Sequence, residues 1–173
     1  MERWIQPETK FDGRIIRVIA GQIELDDGRP AYREVVEHGG GVCVLPYDGS
    51  HVTLVRQYRI AVGEYVLEAP AGKLEPGDTP LERARIELLE ETGLQAAGLV
   101  ELGYIYGTVG FCSERIHLYL ALNSHLGEAK PETEERIEIV RLPLQEALER
   151  AAKGDLRDAK TLVLLMKLQH HVT

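Results

Sequence analysis

The sequence is poor in cysteine, has no long apolar run and carries no repeat or low-complexity stretch, and each shortage removes a class of protein. Two cysteines, Cys43 and Cys112, in apolar surroundings read as buried thiols of a cytosolic chain. Neither belongs to a CxxC or Cys/His cluster, so no zinc site is expected. No apolar run reaches the ~18 residues that a membrane span needs. The opening MERWIQP lacks the apolar core of an export signal, so a cytoplasmic protein is expected. The length of 173 residues suits one domain with a small appendage.

The net charge is −8, which argues against a broad nucleic-acid surface, because like charge repels at long range. A small phosphorylated ligand stays open if the site brings its own cations, as local Arg and Lys or as metal ions held by some of the surplus carboxylates.

Residues 14–20 and 22–25 read as short strands, 26–30 as an Asp-Gly turn, and 31–37 as a third, alternating strand. Residues 1–38 thus form a small antiparallel β segment that cannot bury a core alone. The break at Gly39-Gly40-Gly41 opens the main domain, 39–173. Strands are predicted at 42–46, 51–58, 65–69, 99–106, 116–122 and 137–142, and helices at 79–92, 143–153 and 159–170. The order lacks strict βαβ alternation, so the expected class is α+β with a mixed sheet between helices.

The helix at 79–92 has the plainest signals. Thr79 caps it, Pro80 suits its first position, Glu82 completes a capping box, and Gly93 ends it. Leu81, Ala84 and Leu88 make an apolar stripe. Glu87, Glu90 and Glu91 project from one arc of about 100°. Like charges at this spacing repel, so the arrangement suits either a solvated acidic face or a divalent cation with oxygen ligands. Just upstream, Ala69-Pro70-Ala71-Gly72 is a loop on which backbone carbonyls can face a ligand closely.

The segment 72–94, GKLEPGDTPLERARIELLEETGL, resembles the Nudix box. Gly72, Glu87, Leu88, Glu90, Glu91, Gly93 and Leu94 match it in register. Two positions depart: Asp78 stands for the first Glu and Ile86 for the Arg that supports the glutamates by ion pairing. Arg83 and Arg85 are the two candidates to replace that charge. Other segments resemble the ADP-ribose pyrophosphatase group of that family: YREVVEH (32–38), LVRQYR (54–59), LEAPAG (67–72), GTVGFCSE (107–114) and DAKT (158–161).

The resemblance implies a Nudix-type α/β/α sandwich, with hydrolysis of a diphosphate bond by water and ADP-ribose split to AMP and ribose 5-phosphate. It implies Mg2+, or Mn2+ or another divalent ion, as cofactor. The metal ligands would be Glu87, Glu90, Glu91 and the Ala71 carbonyl, with Asp78 acting less directly. Glu114, on the Gly-containing loop, and Glu90 compete as the general base, and Glu91 belongs to the same catalytic set. Arg33, Glu34, Arg59 and Glu68 would meet the substrate; Glu68 pairs with Arg59 or reaches the terminal ribose. Trp4 or Phe11 either stacks on adenine or packs. The resemblance further implies a homodimer exchanging residues 1–38, with Arg33 and Glu34 entering the partner's site. Three other readings stand beside this one. They are hydrolysis of another nucleoside diphosphate derivative (a nucleotide sugar, a dinucleoside polyphosphate or FAD), a weakly active nucleotide-binding domain, and a structural protein with an acidic helix.

Overall fold

The computed structural model describes residues 1–126 and 136–172. The chain forms two compact units, Met1–Gly40 with Tyr106–Arg115, and Gly41–Ile105 with Ile116–Thr173.

In the first unit Arg3–Asp12 (β1), Ile16–Glu24 (β2) and Pro30–His38 (β3) make an antiparallel sheet in the order β1-β2-β3. β1 is an addition to the expected strands. Every residue in it is exposed, so no alternation marks it, and it contains Pro7, which an edge strand tolerates. The two strands expected at 14–20 and 22–25 are one continuous strand through Gly21. That glycine pairs with Pro7 beside a bulge in β1, and a Cβ on it would lie 2.1 Å from the Gln6 carbonyl oxygen. Gly21 therefore admits a close backbone and does not end a strand. The Asp-Gly turn forms as predicted, with Gly28 at φ 83° and its N–H donating to the Leu25 carbonyl at 3.0 Å. The 106–115 strip runs along β3. The Val36 N–H donates to the Phe111 carbonyl at 2.7 Å, and the Ser113 N–H donates back to the Val36 carbonyl at 2.9 Å.

The second unit is built on Gly41–Tyr47 (β4), His51–Arg59 (β5), Glu64–Glu68 (β6), Ala71–Lys73 (β7), Leu94–Gln95 (β8), Leu99–Tyr106 (β9), Arg115–Leu122 (β10), His125–Leu126 (β11) and Glu138–Pro143 (β12). Its helices are Pro80–Thr92 (α1), Leu144–Lys153 (α2) and Ala159–Val172 (α3). The main sheet runs β12-β5-β4-β10-β9, with β6 against β5 and β7 against β4. β4 and β10 are parallel while β5 pairs antiparallel with β12 and β6, so the sheet is mixed as expected.

Alternation along the two central strands separates the core into layers. Val42 and Val44 pack with Tyr119, Ala121 and the Ala84 and Leu88 of α1. Cys43 and Leu45 face the other way with Leu118 and Leu120, onto Ala147 of α2 and Leu164, Leu165 and Leu168 of α3. α1 thus covers one face and α2 with α3 the other, an α/β/α sandwich. Truncating a fully buried residue such as Leu88 to Ala is expected to cost ~2–5 kcal/mol. The predicted stripe on α1 loses one member: Leu81 in the first turn is 42% exposed, and contact with the sheet begins at Ala84.

Candidate active site

The capping box predicted for α1 is formed. Thr79 Oγ1 accepts from the Glu82 N–H at 3.3 Å, Glu82 Oε2 accepts from the Thr79 N–H at 3.4 Å, and Gly93 closes the helix at φ 69°. This fixes the phase of the helix and with it the three glutamates. Their surroundings then differ. Glu91 is buried, 7% exposed, and its Oε2 accepts the Ala71 N–H at 2.9 Å. Glu87 lies directly over Gly72, where a Cβ would sit 1.8 Å from Glu87 Oε1. Glu90 is half-buried, and no hydrogen bond or ion pair holds it among the described residues. The 69–72 loop is thereby pressed onto the acidic face of α1, and the missing side chain of Gly72 leaves room there for the Glu87 carboxylate.

The loop is held from behind as well. The Pro70 carbonyl accepts the Val44 N–H at 2.8 Å, and the Ala69 N–H donates to Thr161 Oγ1 at 2.7 Å. Burial pushes the neighbouring Cys43 thiol well above its ordinary pKa, so it stays protonated and inert.

The vacancy at Ile86 has a visible replacement. Arg83 places Nη1 3.5 Å from Glu87 Oε1 and donates from Nε to Asp78 Oδ2 at 2.7 Å. The Arg83 guanidinium, helped by the Glu75 N–H, holds the Asp78 carboxyl below its usual range. Arg85 points elsewhere, to the Ala96 carbonyl at 3.2 Å. Ile86 lines a pocket of about 320 Å³ with Leu88, Leu89, Ala96 and Leu99.

On β5 and β6, Arg59 Nε donates to Glu68 Oε1 at 2.6 Å, and Glu68 is 2% exposed. The sequence alone assigns Gln57 no role of its own. Its Oε1 is buried with no hydrogen-bond partner among the described residues, a condition costing roughly 1–3 kcal/mol. Only its place inside the LVRQYR segment could have pointed to it.

Arg33, Glu34 and Glu114 belong to the first unit. Arg33 is gripped by Glu2, with Nε donating to Oε2 at 3.0 Å, and Glu34 is exposed on the same strand. Glu114 sits on the strip fastened to β3, its Oε1 3.5 Å from His38 Nδ1. Trp4 and Phe11 lie on β1, 37% and 54% exposed.

A profile of the NUDIX domain matches residues 37–165. The chain belongs to the Nudix family. It is 35% identical over 171 residues to the ADP-ribose pyrophosphatase of Bacillus subtilis (strain 168), covering 97% of this chain and 92% of that one. It is 34% identical over 168 residues to the GDP-mannose pyrophosphatase of Cronobacter sakazakii (strain ATCC BAA-894), covering 90% and 87%. A crystal structure of an ADP compounds hydrolase superposes with a TM-score of 0.85 at 22% identity, over 97% of this chain and 92% of that chain. The sandwich is the Nudix fold, and the chain is a Nudix hydrolase.

Nudix hydrolases work with divalent metal ions. Among the described residues no three His, Cys, Asp or Glu side chains converge into a ready-made cage. The donors at hand are carboxylate and backbone oxygens, the hard ligands that such ions take. Magnesium needs only one or two protein carboxylates and fills its shell with water and phosphate oxygen. The Glu87 carboxylate over Gly72 and the Glu91 carboxylate against Ala71 fit that requirement.

Proposed function

We propose that this Nudix hydrolase splits the diphosphate of ADP-ribose into AMP and ribose 5-phosphate, with Mg2+ as the working ion. The observation that carries the chemistry is the junction of α1 with the 69–72 loop, where Glu87 and Glu91 are fixed against Gly72 and Ala71. The substrate rests on full-length similarity to an ADP-ribose pyrophosphatase.

Glu87, Glu91 and the Ala71 carbonyl would hold the metal, with Glu90 as a further ligand. When bound, the ion offsets diphosphate charge and makes a coordinated water more acidic. Either Glu90 or Glu114 takes the proton as water attacks phosphorus and the bridging P–O bond breaks. Arg59 grips phosphate oxygen, its guanidinium oriented by Glu68. Arg33 does the same once it exchanges the Glu2 carboxylate for the ligand, with Glu34 beside it. The apolar side chains left on the first unit, Ile5 at 54%, Phe11 at 54% and Tyr32 at 56% exposed, support a homodimer through this sheet. The net charge of −8 supports a small-molecule partner over nucleic acid. Among the described residues no helix is long and apolar enough to cross a membrane. A cytoplasmic site of action is part of this reading.

The second reading, a nucleotide sugar as substrate, has the GDP-mannose pyrophosphatase similarity in its favour. The test incubates purified protein with ADP-ribose, GDP-mannose, FAD and a diadenosine polyphosphate, in Mg2+ and in EDTA, and separates the products. AMP and ribose 5-phosphate from ADP-ribose, absent in EDTA, is the expected result. Preferential cleavage of another compound would move the substrate. No turnover of any of them, even with Mn2+, would replace hydrolysis by nucleotide binding.

A further inference from the structure

The DAKT segment at the head of α3 lies at the back of the 69–72 loop and closes a ring of polar contacts there. The Ala69 N–H donates to Thr161 Oγ1 at 2.7 Å, and the Thr161 hydroxyl donates to Asp158 Oδ2 at 2.5 Å. Lys160 Nζ donates to Asp158 Oδ1 at 2.7 Å and to Glu68 Oε2 at 2.6 Å. Glu68 runs directly into Ala69, which completes the ring. Its other carboxylate oxygen holds Arg59 Nε at 2.6 Å. Two residues beyond Ala69, the Ala71 N–H meets Glu91.

We infer that Lys160 and Thr161 are positioning residues for the diphosphate site, Lys160 setting Arg59 through Glu68 and Thr161 setting the Ala71 peptide through Ala69. This rests on the hydrolase reading above.

The contacts exceed what the fold needs. Capping α3 requires only that Asp158 accept the Thr161 N–H, which it does at 3.0 Å. Beyond that cap lie a fully buried hydroxyl that both donates and accepts, and a buried carboxylate flanked by two cations. Buried ion pairs are often no more stabilising than well-packed apolar residues of similar volume, so stability alone is a poor reason for them. Two cations, Arg59 and Lys160, meet the Glu68 carboxylate, and Lys160 also meets Asp158. Removing Lys160 takes one positive charge away from Glu68 and Asp158 and makes the surroundings of the arginine that receives an anionic substrate more negative. Removing the Thr161 hydroxyl leaves the buried Ala69 N–H without its acceptor and loosens the peptide two residues on.

The effects therefore separate. Lys160→Met is expected to raise KM for ADP-ribose about tenfold with kcat within about threefold, and Lys160→Arg to stay within about threefold in both. Thr161→Val is expected to lower kcat about tenfold, and Thr161→Ser to restore it. Amide hydrogen exchange needs no ligand: protection at Ala69 and Ala71 falls in Thr161→Val and is retained in Thr161→Ser. Thermal unfolding of each variant identifies any that fail to fold, and the Arg and Ser variants then carry the comparison. Wild-type kinetics in the Met and Val variants, losses not rescued by Arg and Ser, or unchanged exchange at Ala71 would each overturn the inference. If the wild type hydrolyses nothing, the functional reading fails by itself and the exchange data still decide whether Thr161 positions the loop.

Discussion

Gly72→Ala is the sharpest perturbation of the site. A Cβ at this position would stand 1.8 Å from Glu87 Oε1 and 2.0 Å from its Cδ, while ordinary contact begins near 3.4 Å. The carboxylate must therefore retreat by about 1.6 Å, the difference between those two distances. Its backbone is not what resists, since Gly72 is not among the glycines with positive φ. The obstructing atoms are the tip of a flexible side chain, so the helix and loop stay in place while the ligand geometry is lost. A misplacement of ~1 Å at a reacting centre can cost ~100-fold in rate. The expected result is a kcat at least ~100-fold lower, ~2.7 kcal/mol of transition-state stabilisation, with unfolding temperature nearly unchanged. Steady-state hydrolysis of ADP-ribose with Mg2+, together with calorimetric unfolding, measures both. The double variant Gly72→Ala/Glu87→Ala should be no slower than Glu87→Ala alone, because the glycine acts only through that carboxylate. Full activity in Gly72→Ala, or additive losses in the pair, would refute the reasoning.

Glu91→Gln should keep the fold, because the amide oxygen can still accept the Ala71 N–H, while hydrolysis falls at least ~100-fold; Glu87→Gln should behave alike, and full activity in both would remove α1 as the metal-binding element. Ile86→Arg should give no gain in kcat/KM, since Arg83 already reaches both Glu87 and Asp78; a clear rise would show that the Arg83 contacts are an incomplete substitute. Asp48 is held well below its usual pKa by Arg141 and by the His51 and Ser50 N–H groups. A depressed folded-state value stabilises above the unfolded pKa of ~4 and is lost as acid titrates the folded carboxylate. Asp48→Asn should thus lower Tm by about 2–4 °C at pH 7, a gap that narrows progressively below pH ~4; a gap independent of pH would contradict this.

What could be read from the sequence was whatever rests on local rules. The α1 helix announced both its ends through Thr79, Glu82 and Gly93, and the three glutamates followed from its phase. The central strands were legible because they are apolar and short. β1 was not, because a fully exposed edge strand carries no pattern, and Gly21 misled because a glycine that admits a neighbour looks like one that breaks a strand. The choice between Arg83 and Arg85 was undecidable from sequence, since both lie within a turn of Glu87 and only the course of the chain after α1 draws Arg85 towards Ala96. The ring around Lys160 joins residues 92 positions apart, and no spacing rule anticipates it.

The strip 106–115 gives the first unit a peculiar birth order. Its three strands are complete at His38, yet the Val36 edge is not paired until the Phe111 to Ser113 stretch has been synthesised, and the His38–Ser113 contact spans 75 positions. A nascent chain therefore carries an unfinished sheet with an open edge while the 75 positions from His38 to Ser113 are added. Excising the first 40 residues would not yield a clean module either, because the strip would remain behind with its own backbone groups unmet. In this protein the amino-terminal appendage and the rest of the chain are interlocked by connectivity, and insertion or deletion between β9 and β10 should be felt at the opposite end of the sequence.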